Sequence, residues 1–273
     1  MVLRKCNRIV AKVKRYWRQT HKFGIRLLKT VAEALVIDKE TGTDVWRKPL
    51  AKEVSKVKVV WTVADGVSPE QARTGKEPSM IGYQELRCHV IFDVKMDFTR
   101  KARFVAGGHT TDTPSSITYL SVVSCDSVRL AFLIAGLNDL DVLAGDVPNA
   151  YLNAKCREKI WFEGGIETGE DRGKVLIVTR ALYGLKSSGA AWRADLVATQ
   201  RRDLKFTSSQ ADPDVWIRNS GTHYDMVLVY IDGILVFAKD PKIAMDELGK
   251  LYEFKPESVK EPDIYLGANM EKV

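Results

Sequence analysis

The chain has 273 residues, of which 45% are hydrophobic and 28% are charged, and its net charge is +7. This composition excludes collagen-like, coiled-coil and intrinsically disordered proteins. Its apolar runs, such as Leu130–Ala135 and Met226–Ile231, are much shorter than the roughly 20 residues that cross a bilayer. The N-terminus has no apolar signal segment, and the four cysteines form no C-x-x-C pair. We therefore expect an intracellular protein that is not secreted and has no membrane partner.

The first 30 residues form a basic arm. They contain ten lysines and arginines and no acidic residue. Such an arm favours a polyanionic partner, nucleic acid first, and the predicted contacts are Arg4, Lys5, Lys14, Arg15 and Arg18. A solvated basic helix face is the alternative that the sequence leaves open.

The segment after the arm is predicted to contain helices followed by strands. A capping box predicts a short helix that begins after Thr30 and continues to about Ile37, in a segment that Gly42 ends. An amphipathic stretch predicts a second helix over residues 44–57, which Pro49 is expected to kink or shorten. Residues 65–79 are rich in turn formers and are predicted to form a loop. Apolar and β-branched runs predict strands over residues 58–63, 87–94 and 101–106.

The remainder of the chain continues this alternation. A helix is predicted over residues 127–137, capped by Asp126 or Ser127, with its large apolar side chains packed inward: Leu130, Phe132, Leu133, Ile134 and Leu137. Strands are predicted near residues 142–146, 159–162 and 174–179, followed by a helix over 189–204 and a hairpin of 226–231 and 233–238. The hairpin turn is expected at Asp232-Gly233, a favoured two-residue turn. This alternation indicates an α+β or α/β fold.

Two acidic residues, Asp146 and Asp232, stand at the ends of predicted strands. Carboxylates held by a rigid sheet can ligate a divalent metal, and two on adjacent strands could share a pair of Mg²⁺ ions. Acids are also common at strand ends, and Asp-Gly is a favoured turn. Spacing alone therefore favours a purely structural role for both residues.

The order of several motifs changes this interpretation. The segments LAGDVPNAYLN, RALYGLKSSGAAW, LVYIDGILVFAKD and IYLGA follow one another along the second half of the chain. In this order they resemble the reverse transcriptase of copia-type retrotransposons. Upstream, KARFVAGGHTT followed by ITYLSVV is similar to the fingers segment of that family. The resemblance covers about residues 30–273, and an unrelated α+β module would need the shared order to be a coincidence.

The resemblance implies the architecture and the reaction. The fold would be α+β, a right-hand polymerase palm with fingers and no clear thumb. Residues 1–30 would be a basic extension, 31–140 the fingers with connecting helices, and 141–273 the palm with the catalytic hairpin and primer-holding segment. The activity would be RNA-directed DNA polymerisation with Mg²⁺ or Mn²⁺, on an RNA or DNA template with a primer and deoxynucleoside triphosphates. The polyprotein partners integrase and ribonuclease H are not expected in this chain, and its location would be the cytoplasm or virus-like particles.

The resemblance also implies roles for residues near the two acids. Asp146 and Asp232 would bind the metals that activate the primer 3′-hydroxyl and stabilise the leaving pyrophosphate. Tyr151 would lie under the incoming sugar and exclude a 2′-hydroxyl, whereas in another fold it would be a half-buried core tyrosine.

Further implied contacts involve the triphosphate and template. Lys101 and Arg103 would neutralise the triphosphate, although such residues alone are more often a solvated strand edge. Gly184 would let template and nucleotide approach the backbone, with Lys186 near phosphate. The alternative for that stretch is a loop and helix cap, in which Ser187 or Ser188 accepts backbone N–H bonds.

Two positions complete the comparison with the family. Leu266 and Gly267 would belong to the segment that holds the primer end, and an apolar edge strand is the alternative. The family's hairpin normally contains Y-x-D-D, whereas this chain has aspartate at position 232 followed by Gly233. One carboxylate is therefore missing, and we expect a retained fold with weak or absent polymerase activity. A relative that only binds nucleic acid is the alternative function.

Overall fold

The computed structural model describes residues 19–112, 114, 118–265 and 268–270. Its helices are α1 (Val31–Thr41), α2 (Arg47–Val57), α3 (Pro69–Thr74), α4 (Cys125–Leu137), α5 (Ser188–Arg202) and α6 (Pro241–Gly249). Short 3₁₀ helices span Lys58–Val60, Pro78–Met80, Gly108–Thr110, Ala150–Asn153 and Ile166–Asp171. None of the described helices has the length and apolar content needed to cross a membrane.

The strands form mainly antiparallel sheets, and the mixture of helix and sheet confirms the α+β class. They are β1 (His21–Lys22), β2 (Ile25–Arg26), β3 (Trp61–Val63), β4 (Gln84–Glu85), β5 (Cys88–Val94), β6 (Arg100–Ala106), β7 (Asp141–Asp146), β8 (Ile160–Glu163), β9 (Val175–Val178), β10 (Thr207–Ser208), β11 (Val215–Asn219), β12 (Tyr224–Tyr230), β13 (Gly233–Ala238), β14 (Ile264–Tyr265) and β15 (Ala268–Asn269).

The chain divides into two compact units. The first comprises the described residues up to Asp112 together with Lys159–Leu185, and the second comprises those of Thr113–Glu158 and from Lys186 onward. Residues 159–185 thus fold with the N-terminal part of the chain. The division into fingers over 31–140 and palm over 141–273 stays a prediction.

The first unit contains a four-stranded sheet of order β3-β9-β8-β4 and a separate ribbon of β5 and β6. Aromatic rings form its centre: Trp61 lies 5.8 Å from Phe104 and 5.6 Å from Phe162 between ring centroids. Helix α2 packs on β6, and the Glu53 carboxylate accepts a 3.0 Å hydrogen bond from the Phe104 N–H. Buried aromatic area of this kind stabilises a small unit strongly.

A close backbone approach in this unit requires glycine at position 184. The Ala106 N–H donates a 2.7 Å hydrogen bond to the Tyr183 carbonyl, which brings the two segments together. Gly184 has φ +97°, and a Cβ there would lie 2.0 Å from the Ala106 carbonyl oxygen. The space beside Gly184 is therefore occupied by the protein's own backbone, which gives this glycine a structural role.

Gly184→Ala is expected to lower the free energy of unfolding by about 3 kcal/mol or more, because the variant adds both a positive-φ penalty and a clash with backbone. Gly136→Ala in α4 is the control, since a Cβ there meets no atom within 4 Å. The control is expected to stabilise by about 0.5–1 kcal/mol. Urea unfolding of both variants measures the difference, and a Gly184→Ala protein as stable as the parent would contradict this role.

The second unit is built on a five-stranded antiparallel sheet of order β10-β11-β12-β13-β7. Helix α4 covers one face, where Phe132 meets Phe237 at 5.0 Å between ring centroids. The opposite face is covered as well: a Cβ on Gly145 would lie 3.2 Å from Met245 of α6. Strands β12 and β13 are therefore buried on both faces, which makes the hairpin a rigid support.

The expectations about the N-terminal helices had different outcomes. Helix α2 is shorter than expected, since it begins at Arg47 and not at residue 44, and Pro49 occupies its third position, where a backbone N–H has no helical partner. Residues 65–79 are not one loop, since α3 begins after Ser68. The side chains of Ser68 and Gln71 form a complete capping box, a signal that is present in the sequence.

The prediction of which face of α4 packs inward was also wrong. The helix is capped by Ser124, and it packs on the sheet through its smaller residues Val128, Ala131 and Ala135. Of the large apolar residues only Phe132 contacts the core cluster, while Leu130 and Leu137 are 57% and 76% exposed, and Leu133 and Ile134 are exposed too. Small side chains let the helix axis approach the sheet closely, so they take the inner face.

Candidate active site

Strand pairing brings the two predicted acids together. Asp146 is the last residue of β7, and it pairs directly with Gly233, the first residue of β13. The Val147 N–H donates a 2.9 Å hydrogen bond to the Asp232 carbonyl. Asp146 and Asp232 thus stand at the same end of one sheet, on neighbouring antiparallel strands.

The hairpin turn differs from the expected one. Tyr230 pairs with Gly233, so the two central turn residues are Ile231 and Asp232, and the expected Asp232-Gly233 turn was wrong. Ile231 has φ +60°, which is unusual for a β-branched residue and costs of order 1–3 kcal/mol. Gly233 lies in the strand, and a Cβ there would be 3.5 Å from its nearest neighbour, the Tyr230 carbonyl oxygen. Position 233 therefore accepts a side chain without strain.

The segment after α6 holds Asp146 in place. The Asp146 carbonyl accepts a 2.8 Å bond from the Lys255 N–H, and the Asp146 N–H donates a 3.1 Å bond to the Ser258 hydroxyl. The Lys255 ammonium lies 3.5 Å from Asp146 Oδ2, and 41% of the Asp146 side chain is exposed. Asp146 thus combines a fixed backbone with a partly exposed carboxylate that is paired with the Lys255 ammonium.

Tyr151 lies in the same unit as the acids. It belongs to the 3₁₀ helix Ala150–Asn153, which follows Asn149 at φ +52°. Burial raises the pKa of the Tyr151 hydroxyl, and the negative charge of Asp232 raises this pKa further. The phenol is therefore neutral at physiological pH.

The predicted triphosphate contacts belong to the first unit. Lys101 and Arg103 are two residues apart on β6 and therefore share one face of the ribbon. The Arg103 guanidinium stacks 5.0 Å from the centre of the Tyr183 ring. Partial burial lowers the pKa of the Lys101 ammonium, and the charges of Arg103 and Lys95 lower this pKa further. The carboxylates of Glu53 and Asp93 raise this pKa and so offset part of the repulsion among the cations, and a bound polyanion would offset more of it.

The remaining predicted residues are divided among three places. Gly184 lies in the first unit, and Lys186 is in the second, just before α5. Ser187 precedes α5 but its hydroxyl donates to the Glu158 carboxylate and caps no helical N–H. Leu266, Gly267 and the arm residues lie outside the described part of the chain: Arg4, Lys5, Lys14, Arg15 and Arg18. All these functional assignments stay predictions.

The two acids suit a magnesium or manganese ion. Mg²⁺ is usually held by one or two carboxylates, with waters and substrate phosphates as its other ligands. Asp146 and Asp232 would supply such a pair, and no group of three or more His, Cys, Asp or Glu side chains comes together in the described ranges. The third carboxylate of a Y-x-D-D hairpin would stand at Gly233, directly beside Asp146.

Three residues that contact this site were not predicted from the sequence. Lys255 and Ser258 are more than 100 residues from Asp146, and no pattern in the chain connects them. Trp192, whose indole N–H donates to the Ile231 carbonyl, ends the segment RALYGLKSSGAAW and could have been noted there.

Comparison with known proteins decides the family. Residues 76–273 match the family model described as "Reverse transcriptase (RNA-dependent DNA polymerase)". The chain belongs to this reverse transcriptase family. The match includes both acids and the hairpin, and it confirms the resemblance to copia-type elements.

Curated relatives agree with this reverse transcriptase assignment. The chain is 26% identical to the "Retrovirus-related Pol polyprotein from transposon TNT 1-94" of Nicotiana tabacum, covering 64% of this chain and 14% of the relative. Identity is 26% to the RE1 polyprotein of Arabidopsis thaliana and 28% to the "Transposon Ty1-LR2 Gag-Pol polyprotein" of Saccharomyces cerevisiae, each over 63% of this chain. The matched region spans only 10–14% of these relatives' length.

Proposed function

We propose that the second unit carries the nucleotidyl-transfer site of a copia-type reverse transcriptase. The proposed activity extends a DNA primer on an RNA or DNA template. The observation that supports it most directly is the pairing of β7 with β13, which sets Asp146 beside the turn that carries Asp232. In this architecture the unit with the five-stranded sheet would be the palm, and the ribbon of β5 and β6 would belong to the fingers.

The proposed chemistry depends on what each side chain contributes. Asp146 and Asp232 would hold Mg²⁺ or Mn²⁺, which supplies Lewis-acid stabilisation of charge at the primer oxygen and the leaving pyrophosphate. The neutral phenol of Tyr151 would lie beneath the sugar and exclude a 2′-hydroxyl. The cations of Lys101 and Arg103 would neutralise the triphosphate.

The other proposed contacts concern the nucleic acid strands. Lys186 would contact phosphate next to the Gly184 loop, and Leu266 with Gly267 would hold the primer end. The basic arm would contact the nucleic acid backbone, a sequence-independent interaction that weakens with salt. The proposed setting is the cytoplasm or virus-like particles, together with the integrase and ribonuclease H of a polyprotein.

We also propose that this copy is impaired. Gly233 removes one of the three carboxylates that the family places around the metals, and the turn itself does not require glycine there. The loss could cost on the order of a thousandfold in rate. The same observation favours a second candidate, a relative that only binds nucleic acid.

Primer extension separates the two candidates. We expect slow nucleotide addition on a primed RNA template with Mg²⁺ or Mn²⁺ and none after chelation with EDTA. Binding measured in parallel should weaken with salt, with a slope set by the phosphates neutralised. Salt-sensitive binding with no product, even after an aspartate is restored at Gly233, would contradict the polymerase proposal and favour the binding-only relative.

A further inference from the structure

A buried tryptophan reaches the strained turn of the hairpin. Trp192, in α5, is 1% exposed, and its indole N–H donates a 2.7 Å hydrogen bond to the Ile231 carbonyl. Ile231 is the residue with φ +60°, a conformation that a β-branched side chain rarely adopts. The hydrogen bond is therefore made to the carbonyl of the strained residue in the hairpin turn.

The next carbonyl of the turn, that of Asp232, also accepts a hydrogen bond. The Asp232 carbonyl accepts from the N–H of Val147, which is fully buried just beyond β7. Two consecutive carbonyls are thus fixed by donors from two different elements, α5 and the end of β7. A turn anchored in this way holds the Asp232 backbone, from which the carboxylate projects, next to the end of β7.

Trp192 is itself fixed by its surroundings. Its ring packs edge-on against Tyr252, with 5.1 Å between ring centroids. The Tyr252 hydroxyl lies 3.0 Å from the Asp195 carboxylate and 2.7 Å from the Thr199 hydroxyl, both on α5. The indole N–H is therefore presented by a rigid element, which suits a positioning role.

We infer that Trp192 is a positioning residue for the nucleotidyl-transfer site: its indole N–H holds the Ile231-Asp232 turn, and so fixes the Asp232 carboxylate beside Asp146. This inference rests on the proposed function. Trp192 is buried, so it would act on the site only through the backbone of the turn.

Trp192→Phe removes the N–H but keeps an aromatic ring, and Trp216→Phe is the matched control. Trp216 is equally buried in the same unit and packs under Arg201. Amide hydrogen exchange of Val147 reports on the turn, since this N–H is bonded to Asp232. We expect exchange at Val147 to become about fivefold faster in Trp192→Phe, as for the loss of one hydrogen bond, and to stay unchanged in Trp216→Phe.

Mn²⁺ affinity, measured by calorimetry, tests the link to Asp232. We expect Trp192→Phe to bind Mn²⁺ about threefold to tenfold more weakly than Trp216→Phe, at similar melting temperatures. Unchanged exchange at Val147, or equal loosening in both variants, would overturn the inference. Faster exchange with unchanged Mn²⁺ affinity would overturn its connection to the metal site. A parent protein that binds no Mn²⁺ would instead count against the proposed function, while Val147 exchange still decides whether Trp192 holds the turn.

Discussion

Replacing Gly233 by aspartate is expected to raise the rate of Mg²⁺-dependent primer extension by up to about a thousandfold. Because Gly233 pairs directly with Asp146 and follows Asp232, the new carboxylate would join both acids at one end of the sheet. The nearest atom to a Cβ at this position is 3.5 Å away, so the hairpin can accept the side chain without rearranging. The measurement is the rate of single-nucleotide addition to a primed RNA template at a fixed Mg²⁺ concentration.

Gly233→Asn is the matched control for this experiment. Asparagine has nearly the same shape as aspartate but adds no charge, so it should leave the rate close to that of the parent. Equal rates for the parent and Gly233→Asp would show that the missing carboxylate does not limit the reaction. A rise of the same size in both variants would assign the gain to side-chain volume at position 233 and not to metal-facing charge.

The elements around the acids could be predicted because their signals are local. Strand β7 and the hairpin of β12 and β13 are runs of apolar residues, and the structure places them within one or two residues of the expected bounds. The helix α4 was also located, but its orientation was not. From Leu130 onward it is apolar on every side, so periodicity selects no face there, and the choice of Ala131 and Ala135 over Leu130 follows from how closely the helix packs on the sheet.

The details of the turn could not be read from propensity. Asp-Gly is a favoured hairpin turn, yet pairing of Tyr230 with Gly233 moves the turn back by one residue. This register places Ile231 at a positive φ, and the cost is offset by tertiary contacts such as the bond from Trp192. Turn propensity fails to predict the turn here because a contact between distant segments outweighs the local preference for Asp-Gly. Such failures are expected at functional sites. The roles assigned to the site residues stay predictions until the variants are measured.

Asp146→Asn is expected to lower metal-dependent primer extension by about a thousandfold or more, best measured in the Gly233→Asp background, where the rate is highest. The amide keeps the shape of the carboxylate but removes the charge that holds the ion. The backbone bonds from Asp146 to Lys255 and Ser258 do not involve the carboxylate, so the variant should fold normally. Extension rate, melting temperature and Mn²⁺ affinity are measured on the same samples.

Strand β7 offers its own control at its other end. Asp141 begins the strand and pairs with Ala238, five residues from the position where Asp146 pairs with Gly233. Asp141→Asn removes the same charge from the same strand but lies away from the hairpin turn, so extension and Mn²⁺ binding should change less than about twofold. Equal losses from both substitutions would mean that net charge, not coordination at Asp146, governs the reaction. A loss confined to Asp146→Asn requires the ion to sit where β7 meets the hairpin.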